Sequence, residues 1–139
     1  MIKIQWKLRE STEEDYPFIY GLIEDFFNNT NLNVTYISLE SYEDFVKRNF
    51  SKKSINYTII NEKDDKIGYV HMIQNEIGYF LAPEYRGKGI GSQAVKKMLE
   101  LNPRKTYFAT IHNNNIQSIN LVKKLGFKPK GTIFEKNEF

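Results

Sequence analysis

The stretch Arg86-Gly87-Lys88-Gly89-Ile90-Gly91 decides the fold of this chain, because of what stands on either side of it. Residues 77–81 before it read as a strand, and residues 92–100 after it carry the apolar spacing of a helix. Glycines let a backbone adopt positive φ and approach a ligand closely. The first N–H groups of a helix have no partner within it and can bind an anion. The order strand, glycine loop, helix therefore predicts a phosphate site.

The composition suits one domain with a substantial core. The chain has 139 residues, of which 40% are hydrophobic and 14% aromatic, and this excludes disorder of the whole chain. No apolar run approaches the ~18 residues of a membrane span, and the N-terminus lacks the basic-then-apolar pattern of a signal peptide. We therefore expect a cytoplasmic protein with no membrane partner.

The charged and sulfur-containing side chains exclude several kinds of site. Because the chain has 0 cysteines, it forms no disulfide, thiolate metal site or cysteine nucleophile. Its two histidines, His71 and His112, are far apart in sequence and show no ligand spacing, so we expect no metal site. A net charge of +3 is too mild to predict a nucleic-acid partner.

Local patterns predict a mixed order of helices and strands. Alternation predicts a first strand, and apolar positions three and four apart predict a helix that begins near Asp15 or Tyr16. A second helix, an antiparallel three-strand meander, the glycine-loop helix, a parallel strand, another helix and a last strand follow. In residue numbers, the first strand spans 2–9, a loop 28–33, the second helix 39–50, the meander 55–61, 67–73 and 76–81, the loop helix 92–101, the parallel strand 106–111, the next helix 116–125 and the last strand 128–134.

Two common phosphate-binding loops do not fit these residues. A dinucleotide fingerprint needs G-x-G-x-x-G at the first strand–helix turn and an acidic residue about 20 positions later. This chain has G-x-G-x-G in its middle, after a strand that belongs to a meander. A nucleotide P-loop needs Gly-Lys followed by Ser or Thr, whereas Gly89 follows Lys88 here.

Two motifs in order resemble the GNAT N-acetyltransferase superfamily. The glycine stretch matches the R/Q-x-x-G-x-G/A signature, and residues 115–127 resemble the later Asn-x-x-Ser/Ala helix that closes in Lys-x-Gly-Phe. The close matches cover residues 76–127. The resemblance implies one acetyltransferase domain over residues 1–139, of the α/β class, with a mixed, mostly antiparallel sheet splayed at its centre and helices on both faces. The Asn-x-x-Ser motif at residues 115–118 is similar to the one at the start of the same helix in the ribosomal-protein N-terminal acetyltransferases.

The resemblance implies acetyl-CoA as cosubstrate. The backbone N–H groups of residues 86–91 would hold its pyrophosphate. Phe80 and Leu81 would pair their backbone with the pantetheine arm like an added strand, and Asn115 would reach that arm from the other side. From the residues alone, the glycines also fit a plain tight turn and Asn115 also fits a helix N-cap. The cofactor-binding residues that the resemblance implies are Phe80, Leu81, Arg86, Gly87, Lys88, Gly89, Ile90, Gly91, Ser92, Asn115 and Lys124.

The implied reaction moves an acetyl group to a primary amine by direct attack in a ternary complex. A backbone N–H near Phe80 or Leu81 would stabilise the oxyanion. Glu76 and His71 are the candidate general bases, since both lie on strands beside the splay. Many relatives carry a tyrosine where this chain has Val122. The leaving thiolate is therefore protonated by Ser118 or water, or leaves unassisted.

The acceptor stays open at this stage. A protein N-terminus, a polyamine, an aminoglycoside and an amino acid all remain candidates, and a CoA-binding sensor or scaffold without turnover is the alternative function. Only twelve residues follow Phe127, so the last strand is short, absent or supplied by a partner chain, and a homodimer remains open. The polar residues of the expected acceptor region are Glu24, Asp25, Tyr36, Tyr42, Glu43 and Asp44.

Overall fold

The sheet has four antiparallel strands in the order β1-β2-β3-β4. The protein is described here from a computed structural model, which covers residues 3–32, 34 and 37–138. The predicted meander is confirmed as β2, β3 and β4, and β1 adds to the outer edge of β2. Ile2, which we placed in the first strand, lies outside the described residues. The strands are β1 (Trp6–Glu10), β2 (Ser54–Asn61), β3 (Lys66–Ile73) and β4 (Glu76–Leu81).

In the part of the chain that the structure describes, four α-helices flank the sheet, and local interactions explain where they begin. The first helix begins at Tyr16, as predicted, and Pro17 is tolerated in its first turn, where no intrahelical N–H bond is lost. The second helix is shorter than predicted because Ser41 caps it, with its hydroxyl accepting from the N–H of Asp44. The helices are α1 (Tyr16–Asn29), α2 (Tyr42–Asn49), α3 (Ile90–Leu101) and α4 (Ile116–Lys124). Within the described part of the chain, no helix is long and apolar enough to cross a membrane.

The two faces of the sheet bury separate hydrophobic clusters, because strand residues alternate between faces. One face packs against α3 and α4 through Val70, Met72, Ile77 and their neighbours. The opposite face packs against α1 and α2 around Tyr69 and Phe45, which are both fully buried. The sheet therefore lies between two helical layers.

A buried carboxylate fixes the start of α1 against the sheet. Asp15 is 1% exposed and accepts hydrogen bonds from the Arg9 guanidinium at 2.8 and 2.9 Å and from the Thr12 N–H at 2.8 Å, while Lys66 Nζ lies 3.0 Å away. Burial alone raises the pKa of this carboxyl, but these partners outweigh burial and hold the pKa well below its ordinary value. The cluster joins α1 to β1 and β3.

Two predicted strands are absent from the described structure. Residues 106–111 form only one parallel bridge, between Phe108 and Glu76, because the segment diverges from β4 immediately afterwards. Residues 128–134 are exposed and unpaired, and Pro129 has no N–H for a strand ladder. Both predictions rested on local apolar pattern, whereas a strand needs a partner within hydrogen-bonding distance.

Candidate functional site

The glycine loop adopts the conformation that its glycines permit. Gly87 has φ 74° and Gly89 has φ 82°, values in the left-handed region that other residues rarely adopt. Gly89 is the N-cap of α3. Gly91 is buried in the first turn of α3, where a β-carbon would be in ordinary contact with the Tyr79 ring at 3.4 Å. Ile90 points into the core and is 3% exposed.

The glycine loop and the first turn of α3 carry backbone N–H groups that make no hydrogen bond within the helix. Gln93 donates the first intrahelical bond of α3, to the Gly89 carbonyl at 3.3 Å. The preceding N–H groups of the helix start therefore have no partner within the helix. The N–H of Arg86 is different, because it donates to the Pro83 carbonyl at 3.2 Å. The anion-binding set that we predicted over residues 86–91 thus begins after Arg86.

A cleft of about 840 Å³ opens in front of these N–H groups, and we call it the main cleft. Its walls are the end of α1 with the residues that follow, β4 with the glycine loop, and the start of α4. The main cleft is lined, among others, by Phe80, Leu81, Arg86, Gly87, Gly89, Gly91, Ser92, Asn115 and Lys124. Lys88 and Ile90 are the two predicted cofactor residues that do not line it.

The Arg86 side chain crosses the mouth of the main cleft. Its Nε donates to the Leu81 carbonyl at 3.1 Å, and its Nη2 lies 3.1 Å from Asp25 Oδ2 on α1. Both side chains are partly exposed, so the ion pair itself adds little to the free energy of unfolding. The ion pair instead fixes the position of the Arg86 guanidinium, which lies beside the glycine loop.

Beyond the single bridge between Phe108 and Glu76, the segment 106–111 diverges from the open edge of β4. We call the gap between them the splay. The Ala82 N–H donates inward to Ile67 of β3, whereas the Ile77 N–H donates outward to Phe108. Because strand backbone groups alternate, Phe80 pairs with β3, and the N–H and C=O groups of Tyr79 and Leu81 face the splay. The backbone pairing that we expected of Phe80 is thus available to Tyr79 instead. The Phe80 side chain packs edge-on against Phe26, with ring centroids 5.7 Å apart.

A smaller cavity of about 170 Å³, here called the inner cavity, lies within the splay. Its walls include Gly78, Tyr79 and Phe80 of β4 and Ser118 and Val122 of α4. The Tyr79 hydroxyl and Ser118 Oγ are 2.7 Å apart. Burial raises the pKa of Tyr79, and the hydrogen bond with Ser118 partly offsets that rise.

Asn115, Ser92 and Lys124 all reach the main cleft. Asn115 is the N-cap of α4, with Oδ1 accepting from the Ser118 N–H at 3.3 Å, which confirms the N-cap interpretation. The Ser92 hydroxyl donates to the Gly89 carbonyl at 3.2 Å, and this hydrogen bond stabilises the glycine loop. Lys124 is exposed at the end of α4.

The two candidate bases lie on the α1–α2 side of the sheet, and neither lines a cavity described above. Glu76 is exposed at the start of β4. The His71 ring stacks on Tyr69 at 5.0 Å, and its Nδ1 is buried with no hydrogen-bond partner among the described residues. Burial, with Arg48 nearby, lowers the pKa of His71 to about 4. The structure therefore does not bring these two residues together with Ser118.

The sequence matches the acetyltransferase (GNAT) domain family over residues 6–128. The chain belongs to this family. The predicted α/β fold class is confirmed by the structure, in which an antiparallel sheet lies between two helical layers, and by its solved neighbours.

Curated relatives of this GNAT domain include acetyltransferases of different acceptors. It is 31% identical over 90 residues to the peptidyl-lysine N-acetyltransferase YjaB of Escherichia coli (strain K12), a match that covers 64% of this chain and 59% of that protein. The chain thus spans less than two thirds of that relative's length. It is 26% identical to the spermidine N(1)-acetyltransferase of the same strain, over 94% of this chain and 76% of that protein.

A solved structure shares the fold of this GNAT domain. Spermidine N-acetyltransferase from Vibrio cholerae in complex with CoA and spermine superposes with a TM-score of 0.73. The sequence identity is 22%, and the match covers 95% of this chain and 86% of that one.

Sequence reasoning missed several residues that the GNAT fold places at the site. Tyr79 is not among the predicted site residues, although strand alternation puts it on the α4 side, which is a signal that could have identified it. Asp25, assigned to the acceptor region, instead pairs with Arg86. His112 lines the inner cavity. Tyr36 of the expected acceptor region lies outside the described residues, and Glu24, Tyr42, Glu43 and Asp44 are exposed on α1 and α2. The described residues include no group of three or more acidic or histidine side chains that could hold a metal ion.

Proposed function

We propose that this chain is an acetyl-CoA-dependent N-acetyltransferase that moves an acetyl group to a primary amine by direct attack in a ternary complex. The observation that carries the proposal is the positive-φ glycine loop at the start of α3, which opens onto a cleft of about 840 Å³ beside the free edge of β4. Family membership and relatives that are named acetyltransferases support it.

The residues of the main cleft suit an anionic, elongated cosubstrate. The free N–H groups after Arg86 would hold the pyrophosphate, and Arg86 and Lys124 would add positive charge. Asn115 and the outward-facing backbone of Tyr79 and Leu81 would bind the pantetheine arm like an added strand. When bound, acetyl-CoA supplies the thioester that an amine attacks.

The remaining groups would handle protons and charge. An outward N–H of Tyr79 or Leu81 would stabilise the oxyanion in the splay. Of the two candidate bases, Glu76 is favoured, because its carboxylate is exposed to solvent whereas the His71 Nδ1 is buried. We propose that Ser118, which lines both cavities, protonates the leaving thiolate. We expect Ser118→Ala to lower turnover more than cofactor affinity.

The acceptor class is part of the proposal. Two relatives are named for spermidine and for peptidyl-lysine, and both acceptors carry a primary amine on a flexible alkyl chain. We propose a cationic primary amine of this kind, drawn toward the acidic side chains of α1 and α2, such as Glu24, Glu43 and Asp44. A cytoplasmic location and a homodimer remain predictions, which cell fractionation and light scattering test.

The test is calorimetric titration of the purified protein with acetyl-CoA, with NADH and ATP as controls, followed by thiol release with a panel of amines. We expect selective binding of acetyl-CoA, abolished by Gly89→Glu, and thiol release with polyamines or lysine peptides. Binding without turnover on any amine would support the alternative, a CoA-binding sensor or scaffold. No binding of acetyl-CoA would overturn the proposal.

A further inference from the structure

We propose that Tyr79 and Ser118 form a proton-donating pair, in which Ser118 protonates the departing sulfur of the cofactor and Tyr79 replaces that proton. The inference rests on the proposed acetyltransferase function and deepens it by giving Tyr79, a β4 residue outside both sequence motifs, a role that acts through Ser118.

The first argument is the placement of the two hydroxyls. They come from opposite walls of the splay, Tyr79 from β4 and Ser118 from α4, and lie 2.7 Å apart. Both residues line the main cleft and the inner cavity, so the pair stands where the two spaces meet. The Asn115 cap fixes the backbone of Ser118, and the Tyr79 ring packs against the core cluster formed with α3 and α4. The pair is therefore held in place before any ligand binds.

The second argument is that Ser118 and Val122 are the α4 residues that line the inner cavity, and only Ser118 of these two can donate a proton. Val122, one turn after Ser118, lines the inner cavity and has no proton to give. A serine hydroxyl alone is a poor acid, because its alkoxide is unstable in water. A phenol is the stronger acid of the two, with an ordinary pKa near 10, so a charge left on Tyr79 is more stable than one left on Ser118. Besides Tyr79, the titratable side chain that lines the inner cavity is His112.

The step balances in atoms and electrons. The amine nitrogen lone pair forms the new C–N bond, and the C–S bond breaks with its electron pair on sulfur. The Ser118 proton moves to sulfur to give the thiol, and the Tyr79 proton moves to the Ser118 oxygen, which leaves a phenolate. The proton lost by the acylated nitrogen reaches solvent through the general base, and a solvent proton restores Tyr79. The net reaction is amine plus thioester to amide plus thiol.

The protonation state of Tyr79 agrees with this role. Burial raises its pKa, so the phenol carries its proton at neutral pH. The hydrogen bond from Ser118 opposes that rise, because it stabilises the phenolate that the step creates. Burial thus keeps the proton on Tyr79 in the resting state, and the contact with Ser118 eases its loss.

The experiment compares Tyr79→Phe, Ser118→Ala and the double variant with Tyr57→Phe as the matched control. Tyr57 lies in the same cross-strand row as Tyr79, through Val70, but its hydroxyl accepts from Asn102 and it lines neither cavity. We expect kcat to fall about 10²-fold in each single variant, with the acetyl-CoA dissociation constant within about twofold of wild type. The double variant should be no slower than the slower single, because the two residues act as a unit. Tyr57→Phe should keep wild-type kcat.

Two further measurements distinguish proton donation from packing. Ultraviolet titration, read as the difference from Tyr79→Phe, should show that Ser118→Ala raises the pKa of Tyr79 further, without any cofactor present. Ser118→Cys, which restores an ionisable hydrogen, should recover part of the kcat that Ser118→Ala loses. Unchanged kcat in Tyr79→Phe, multiplicative losses in the double variant, or an unmoved Tyr79 titration would overturn the pair. A wild-type protein that does not bind acetyl-CoA would instead overturn the proposed function, and the pair with it.

Discussion

The imidazole of His71 lies over the α-carbon of Gly78, its partner on the neighbouring strand, so closely that a β-carbon at position 78 would stand 2.3 Å from Nε2. Stacking on Tyr69 holds the ring on its other side. The His71 ring therefore occupies the space that a side chain at position 78 would need, and this explains the glycine there.

Gly78→Ala should destabilise the protein by about 1–3 kcal/mol, because the added methyl group must displace a packed ring. Urea unfolding measures the change. The cost should shrink when His71→Ala is combined with it, since the obstacle is then gone. Gly131→Ala is the control, because no atom lies within 4 Å of a β-carbon there. Equal stability of Gly78→Ala and wild type would contradict the contact.

The stability of the protein should depend on pH through His71. Its folded pKa, lowered to about 4 by burial and by Arg48, lies below the ordinary 6.5 of the unfolded chain. Between these values the unfolded state binds more protons, so the free energy of unfolding rises with pH across this window, by on the order of 3 kcal/mol at most. His71→Gln should remove that rise in urea unfolding at several pH values.

Asp15 should remain pH-sensitive in the same variant, but in a lower window. Its folded pKa lies below the ordinary value of 3.8, so the stability it contributes is lost only as pH falls below about 4. A His71→Gln protein that still loses stability between pH 6.5 and 4 would show that another group is responsible.

Gly89→Ala should weaken acetyl-CoA binding by about tenfold or more. At φ 82° a β-carbon costs about 1–2 kcal/mol, and relaxation of the loop turns its N–H groups away from the ligand. Calorimetry measures the affinity. Gly21→Ala is the matched control, because that glycine lies inside α1 with open space around it and without positive φ. It should leave binding unchanged and stabilise the fold by about 0.5–1 kcal/mol.

Arg86 and Asp25 should affect acetyl-CoA affinity in opposite directions. Arg86→Ala removes a cation from the mouth of the main cleft and should weaken binding about tenfold. Asp25→Asn removes a carboxylate that competes with phosphate for the same guanidinium, so it should strengthen binding a few-fold. Both effects should diminish at high salt, because the pair is partly exposed. Weaker binding in Asp25→Asn would mean that the carboxylate mainly orients Arg86.

Much of the fold follows from patterns that act over a few residues. The glycines with positive φ, the Asn115 cap and the meander turns were predicted correctly, since backbone sterics and capping bonds are local. The strands predicted at residues 106–111 and 128–134 failed, because pairing depends on where another strand lies and not on the apolar pattern alone.

The sequence by itself determined the family, the glycine loop and the start of α4. The tertiary structure decided which side chains meet there. Tyr79 and Ser118 are 39 residues apart, and Arg86 and Asp25 are 61 apart, yet each pair shares a hydrogen bond across the splay or the cleft. Such contacts arise when packed layers bring distant elements together, so no local pattern encodes them, whereas a loop conformation is set by the residues within it.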